Sequence, residues 1–397
     1  MAKPTTKAPS KAPAKASVKP KGGGGRIIAP PAIEEIPEAD RLAEFPHPRH
    51  THRLHGHGAA ERTLAETFAS GHMHHGWLIR GPEGIGKATL AYRIARHVLA
   101  NPDERDALHT SLSVPDDSKA ARGVRNLSHA GLLVLRRPWD HKNKRHMTII
   151  SVDEVRRLRN FTAHTAGDNA WRCVIVDTAD ELNIAAANAL LKSLEEPPAR
   201  TIFLLLASEP GRLLPTIRSR CRTLDLQPLS DTDLKRAVGD AYGAADMDPP
   251  DDALWPELLR LSGGSVRRAL ALINGDGLKL YERVRQFFAL LPKVDWTVAH
   301  QLSDDLAGAA AEQKFETFFE LLLDLLARLV RARASGLGTA DDLALASRVI
   351  PDGKIATFAQ AWEAVVREKA EYGALNLDKK TLILETLTRL EVAAKRG

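Results

Sequence analysis

Gly81-Pro82-Glu83-Gly84-Ile85-Gly86-Lys87-Ala88 is the stretch of this 397-residue chain that decides its fold. It matches the pattern G-x-x-x-x-G-K, in which glycines let backbone N–H groups surround phosphates. The apolar run Trp77-Leu78-Ile79 before it predicts a buried strand, and the apolar spacing from Lys87 to about Ala100 predicts a helix. A helix N-terminus adds positive potential at the same place. The stretch therefore predicts a phosphate-loop fold, with these candidate nucleotide-binding residues: Gly81, Gly84, Gly86 and Lys87.

The residues after Lys87 depart from a working phosphate loop. Ala88 stands where a Ser or Thr hydroxyl would hold Mg²⁺, and Thr89 comes one residue, or about 100° of helical turn, too late. Glu83 also brings a carboxylate close to the phosphate position. Ala88 and Thr89 are therefore candidates for a vestigial nucleotide site. ATP binding stays open, whereas productive Mg²⁺–ATP chemistry is disfavoured.

The second acidic motif is also incomplete. Val174-Ile175-Val176-Asp177 has the form of a strand that ends in an Asp able to hold Mg²⁺ through water. ATPases of this class usually place a Glu next, which orients the attacking water, but Thr178 follows here. Asp180 and Glu181 lie beyond the expected strand end and suit a turn or a helix cap better. Two catalytic positions are therefore degraded independently, which argues against an active hydrolase.

Strands and helices alternate through the first half of the chain. Further apolar runs of strand length lie at 132–135, 173–176 and 202–206, and helical spacing lies at 152–161 and 185–194. This alternation predicts an α/β fold with a parallel sheet covered on both faces. After Pro228 the pattern is helical. We expect a disordered basic tail over 1–30, a nucleotide-binding-fold core over 31–228 whose folded body begins near Leu54, and helical domains over 229–278 and 279–397.

Composition argues against several classes of protein. The net charge is +6, but residues 1–26 carry seven basic residues and no acid, which leaves −1 for the rest. A neutral body gives little electrostatic support for nucleic-acid binding. Two cysteines exclude a Cys-based zinc site. No apolar run reaches the ~18 residues of a membrane span and no secretory signal is visible, so we expect a cytoplasmic protein without a membrane partner.

Histidines are concentrated near the start of the folded body. Eight of the 15 lie between His47 and His75. Imidazole suits Zn²⁺, Ni²⁺ or Cu²⁺, but these residues have no regular ligand spacing. We therefore expect a solvated polar segment and no metal site.

Three segments carry a family resemblance. They are AANALLKSLEEPP at 186–198, LLPTIRSRC at 213–221 and GGSVRRAL at 263–270, and Gly56-His57 adds a fourth, shorter match. Together they resemble the AAA+ subunits of bacterial DNA polymerase III clamp loaders, over about residues 54–275. The resemblance implies an AAA+ core, a helical lid at 229–278 and a helical collar at 279–397 that holds a five-subunit ring.

The departures from this family imply a particular kind of subunit. Motor subunits keep an intact phosphate loop and an Asp-Glu pair, which this chain lacks. A four-cysteine zinc module is absent or replaced by residues 103–128, so no zinc is expected. The resemblance therefore implies a stator: a subunit of the polymerase III holoenzyme that has lost its own ATP hydrolysis. Its implied partners are the motor (tau/gamma) and delta subunits and, through the complex, the sliding clamp and primed DNA.

Two arginines receive roles from the resemblance. Arg220, in Ser219-Arg220-Cys221, corresponds to the family's arginine finger, which reaches a neighbouring subunit's γ-phosphate. The alternative is a surface arginine paired with an acid. Arg267 corresponds to the sensor-2 arginine, which contacts a nucleotide bound to its own subunit; the alternative is a solvated lid arginine. Cys221 is interpreted as a small buried apolar residue.

Two other functions stay open. An active motor ATPase of the loader would use Thr89 and Glu181 in displaced roles. A DNA-binding adaptor would use the basic tail together with Arg136-Arg137 and the stretch 142–146. Its DNA affinity would depend steeply on salt.

Overall fold

A computed structural model of the chain describes residues 38–39, 41–42, 44–106, 110–142, 145–163, 170–308, 311–375 and 378–395. The predicted tail at 1–30 lies outside the described residues. The elements follow in chain order: α1 (Gly58–Ala69), β1 (Gly76–Arg80), α2 (Lys87–Leu99), α3 (Lys119–Arg125), β2 (Leu132–Leu135), β3 (Trp139–Asp140), β4 (Arg145–His146), α4 (Val152–Ala163), β5 (Arg172–Asp177), α5 (Ile184–Glu195), β6 (Thr201–Ala207), α6 (Pro215–Arg218), β7 (Arg222–Asp225), α7 (Asp231–Ala244), α8 (Trp255–Ser262), α9 (Val266–Asn274), α10 (Gly277–Leu290), α11 (Trp296–Ala307), α12 (Glu312–Ser335), α13 (Ala340–Val349), α14 (Ile355–Leu375) and α15 (Lys379–Ala394).

The main sheet is parallel throughout its described strands. Its order is β2-β5-β6-β1-β7, so the chain crosses over between most neighbouring strands. In the register, Gly76 of β1 pairs with Phe203 of β6, and Trp77 pairs with Arg222 of β7. The predicted α/β class with a parallel sheet is confirmed.

Helices cover both faces of the sheet. Cys173 and Ile175 of β5 face the apolar cluster formed with α1, α2 and α3. Val174 and Val176, one residue along the strand, face a second cluster formed with α4 and α5. The alternation follows from the pleat, which sends successive side chains to opposite faces. Burial on both faces explains why the inner strands are continuous apolar runs.

After Pro228, every regular element in the described residues is a helix. One apolar cluster extends from Leu229 to Ala394, and α12 supplies many of its fully buried side chains, such as Phe318 and Leu325. Because this cluster is continuous across 278–279, the domain limits stay predictions. Among the described helices, none is long and apolar enough to cross a membrane.

One expectation, about where the core begins, is wrong. The folded body begins before Leu54, because Phe45 and His47 are only 3% and 1% exposed and Phe45 packs edge-on against Tyr242. The edge strand β7 was not predicted. It contains a single apolar residue, Leu224, since most of its side chains face solvent.

Candidate functional site

The phosphate loop connects β1 to α2, as its motif predicts. Gly81, Gly84 and Gly86 have φ values of +147°, +76° and +110°, a region that favours glycine. A Cβ at Gly81 would lie 2.5 Å from the Leu226 carbonyl oxygen, so close backbone packing also requires glycine there. The three glycines of the motif thus adopt backbone conformations that other residues rarely adopt.

Lys87 is buried at the start of α2 and fully engaged within the protein. Its Nζ donates to the carbonyl oxygens of Gly81 and Pro82, both at 2.7 Å, and to Ser208 Oγ at 2.9 Å. An ammonium has three donors, and these three acceptors use all of them. Burial lowers the Lys87 pKa, and the charges of Glu83 and Asp177 oppose that shift. Ser208 was not predicted as a site residue, although it directly follows β6 at the carboxyl edge of the sheet.

The start of α9 rests directly on the phosphate loop. Val266 N donates to the Gly84 carbonyl oxygen at 2.9 Å, and Arg267 N approaches the same oxygen at 3.4 Å. A Cβ at Gly84 would lie 2.3 Å from Ser265 Oγ. The Arg267 guanidinium Nε lies 3.1 Å from Glu83 Oε1, so the sensor-2 position faces a carboxylate of the loop itself.

The other candidate residues lie at the end of β5 and in the first turn of α2. Asp177 closes β5 and is buried, and Ala88 packs against the apolar cluster under the sheet. Thr89 is half-buried in the first turn of α2.

Asp180 and Glu181 are occupied by structural contacts. Asp180 Oδ2 accepts from Ser208 N at 3.1 Å and from Glu209 N at 2.7 Å. Glu181 Oε2 lies 3.1 Å from Arg137 Nε. Burial raises the Glu181 pKa, and Arg137 opposes that rise. The expectation that both residues serve a turn agrees with these contacts.

Arg220 lies on the surface between α6 and β7. Its Nη2 is 2.7 Å from Glu195 Oε1, and its Nη1 donates to the Thr216 carbonyl oxygen at 2.9 Å. The side chains of Arg220 and Glu195 are 35% and 47% exposed. Sequence reasoning did not predict Glu195 as the partner, because the pairing depends on how α5 packs beside α6.

Arg220 and the phosphate loop lie at opposite edges of the sheet. The loop follows the carboxyl end of β1, whereas Arg220 precedes β7, which runs parallel to β1. A Cβ on Gly76, the first residue of β1, would lie 3.2 Å from the Arg220 carbonyl oxygen. The five residues of β1 therefore separate the two sites by about 16 Å.

The histidines are partly structural. His47 is buried, and His57, 5% exposed, donates from Nε2 to the Ile85 carbonyl oxygen at 2.8 Å. The prediction of a solvated segment is therefore wrong for these two residues. Across the described ranges, no group of three or more His, Cys, Asp or Glu is arranged to hold a metal ion.

Known proteins resemble this chain over most of its length. The family model described as DNA polymerase III, delta subunit, matches residues 56–230. The DNA polymerase III subunit delta-prime of Pseudomonas aeruginosa is 34% identical over 269 residues, which cover 67% of this chain and 76% of that protein. The chain belongs to the DNA polymerase III delta-prime family. The delta-prime subunit of Escherichia coli K12 is also 34% identical, over 67% of this chain and 73% of its own length.

A second group of relatives is more distant. The gamma/tau subunit of Mycobacterium bovis is 30% identical over 223 residues, which cover 53% of this chain and 34% of that protein. The range matched by the family model, 56–230, contains the phosphate loop, Asp177 and Arg220. His47, Arg267 and the rest of α9 lie outside this range.

Proposed function

We propose that this chain is the stator of a DNA polymerase III clamp loader, which lends Arg220 to a neighbouring subunit's ATP and hydrolyses none itself. Membership of the delta-prime family supports association with other clamp-loader subunits. The proposed assembly is a five-subunit ring with motor (tau/gamma) and delta subunits. That ring loads the sliding clamp onto primed DNA.

One observation carries this proposal: Arg220 and the chain's own phosphate loop are at opposite edges of a parallel sheet. The Arg220 backbone lies about 16 Å from the loop. Its guanidinium is held by Glu195 and by the Thr216 carbonyl oxygen, away from any phosphate bound there. The same position suits a ring in which the amino edge of one subunit meets the carboxyl edge of the next. Arg220 therefore acts in trans.

The chain's own loop fits poorly with Mg²⁺–ATP turnover. All three donors of Lys87 are bound by Gly81, Pro82 and Ser208, and Arg267 is paired with Glu83. Ala88 has no hydroxyl for Mg²⁺. A triphosphate would have to replace these internal contacts and would still lack one metal ligand.

Arg220, by contrast, is easily released. Exposed ion pairs such as Arg220–Glu195 contribute about 0–1 kcal/mol, because water screens both charges. A guanidinium that reaches a transferring phosphoryl group accelerates hydrolysis by ~10³–10⁵ in well-studied systems. The energetic balance therefore favours movement of Arg220 onto a neighbour's γ-phosphate.

The test is the ATPase activity of a loader reconstituted with Arg220→Ala, Arg220→Lys or wild-type chain. We expect both Arg220 variants to lose most of the turnover, because a lysine cannot reproduce the planar donor fork. Arg212→Ala is the matched control, since Arg212 is another surface arginine paired with a glutamate. The isolated chain should show no turnover. Full loader activity with Arg220→Ala, or vigorous ATPase of the isolated chain, would contradict the proposal.

A further inference from the structure

A cavity of about 310 Å³ lies beside α2, away from the phosphate loop. Its walls are residues 52–53, the arginines Arg93 and Arg96 of α2, and the segment 112–116. Arg96 comes nine residues after Lys87, or about 13 Å along the helix axis. The cavity is therefore separate from the site described above.

Arg96 places a buried positive charge in this cavity wall. It is 4% exposed and donates through Nη1 to the Thr51 carbonyl oxygen at 3.0 Å and through Nη2 to that of Arg49. Its Nε is buried without a hydrogen-bond partner, and no described carboxylate forms an ion pair with it. Burial lowers the Arg96 pKa to about 10; the charges of Arg93 and Arg125 add to that shift, and the charge of Asp116 opposes it. Buried charges are costly unless an opposite charge pairs with them.

The carboxylates near Arg96 are already engaged. Glu61 Oε1 accepts from Arg93 Nε at 3.0 Å and from Leu112 N at 3.3 Å. Asp116 Oδ1 lies 2.5 Å from His52 Nδ1. Burial lowers the His52 pKa, so this imidazole is neutral near pH 7 and Asp116 keeps its negative charge in the cavity wall.

Arg53, another residue of the cavity wall, adds a further positive charge. It is exposed, and no described residue forms an ion pair with it. Arg53, Arg93 and Arg96 thus face two carboxylates, those of Glu61 and Asp116. The cavity carries an excess positive charge.

We infer that this cavity binds the phosphate group of a small molecule, with Arg53 and Arg96 as its anchors. Guanidinium groups match phosphate oxygens with paired donors, and a phosphate monoester carries close to two negative charges near pH 7. The volume is larger than a single ion needs and lies at the lower end of the range for small-molecule sites. Inorganic phosphate and a nucleoside monophosphate share this chemistry.

The experiment is calorimetric titration of the full chain with inorganic phosphate and, separately, with AMP. We expect Arg53→Ser to weaken binding by about 10- to 100-fold, the usual worth of one charge-assisted hydrogen-bonded contact. Arg96→Lys should weaken it too, because lysine has fewer donors than arginine and two donors of Arg96 already hold the Thr51 and Arg49 carbonyl oxygens. Arg53 is exposed, so its variant tests the site even if Arg96→Lys fails to fold. Arg62→Ser removes an exposed arginine on α1 and should leave affinity unchanged.

Lys87→Met separates this cavity from the phosphate loop. Unchanged phosphate affinity in Lys87→Met supports the inference, whereas loss of binding there would move the anion to the loop and overturn it. Wild-type affinity in Arg53→Ser would also overturn it. Tighter binding of AMP than of phosphate assigns the site to nucleoside phosphates, and equal binding assigns it to inorganic phosphate. If an oligonucleotide bound much more tightly than AMP and its binding depended on Arg53, the cavity would be part of a nucleic-acid-binding surface and the small-molecule inference would be overturned.

Discussion

Gly84→Ala should separate the start of α9 from the phosphate loop. Gly84 has φ +76°, and its new Cβ would lie 2.3 Å from Ser265 Oγ and 2.5 Å from Arg267 Cβ. The left-handed backbone costs a residue with a Cβ about 1–2 kcal/mol and overpacking adds ~1–3 kcal/mol, so the local cost is roughly 2–5 kcal/mol. The contact that yields is the 2.9 Å hydrogen bond from Val266 N to the Gly84 carbonyl oxygen.

Gly263→Ala is the matched control for this experiment. Gly263 has φ +56°, and a Cβ there would meet nothing within 4 Å, so this variant carries the backbone cost alone. The clash at Gly84 then accounts for a difference of about 1–3 kcal/mol, or roughly 5- to 150-fold in local opening. Hydrogen exchange of peptides that contain Val266 measures this opening. Equal exchange in the two variants would refute the direct contact between α9 and the loop.

Three other perturbations test the buried charge, the thiol and the helical core. Burial raises the Glu181 pKa above its ordinary value of 4.5, so the folded state holds this proton more tightly than the unfolded state. The stabilisation that protonated Glu181 contributes is therefore present below pH 4.5 and is lost as the pH rises through the folded-state pKa. Glu181→Gln should flatten that part of a plot of unfolding free energy against pH. An unchanged plot would contradict the assignment. Burial raises the Cys221 pKa to about 11, so the folded chain should react slowly with iodoacetamide at pH 8; rapid labelling in intact-mass spectra would argue against this burial. Leu325→Ala in α12 should lower the free energy of unfolding by about 2–5 kcal/mol, measured with urea. The exposed control Val392→Ala should change it by less than about 0.5 kcal/mol, and similar losses in both would count against the assigned core.

The elements that sequence predicts best are those whose burial is uniform. The strands β5 and β6 are buried on both faces, so their apolar runs stand out from the surrounding sequence. The edge strand β7 is only four residues long and largely exposed, and its hydrogen bonds to β1 come from the backbone. Backbone hydrogen bonds do not require a particular pattern of apolar side chains. The strand β7 could therefore be identified only from the structure.

The same limit applies to the candidate site. The glycines of the loop were predictable because each needs a backbone conformation that the motif encodes. The partners of the charged residues were not, since Lys87 meets Ser208 across 121 positions and Arg220 meets Glu195 through packing of α5 beside α6. Phe45 was missed for a related reason: a lone aromatic residue in a Pro-rich stretch has no periodicity to reveal its burial.

Arg267 and Arg220 are paired with carboxylates in different settings. The first pair bears on hydrolysis by this chain, and the second on the arginine that the chain offers to a neighbour. Glu83, the partner of Arg267, belongs to the loop that α9 contacts through backbone hydrogen bonds. A nucleotide on that loop would therefore compete with a carboxylate that the fold itself holds in place. The partner of Arg220 is an exposed glutamate at the other edge of the sheet, where water already weakens the pair. In the proposed ring, a phosphate from a neighbouring subunit would carry more charge than that glutamate and would have to replace only a weak ion pair. Under the proposal, loss of hydrolysis in cis and retention of an arginine in trans are independent of each other, since each depends on a different edge of the sheet.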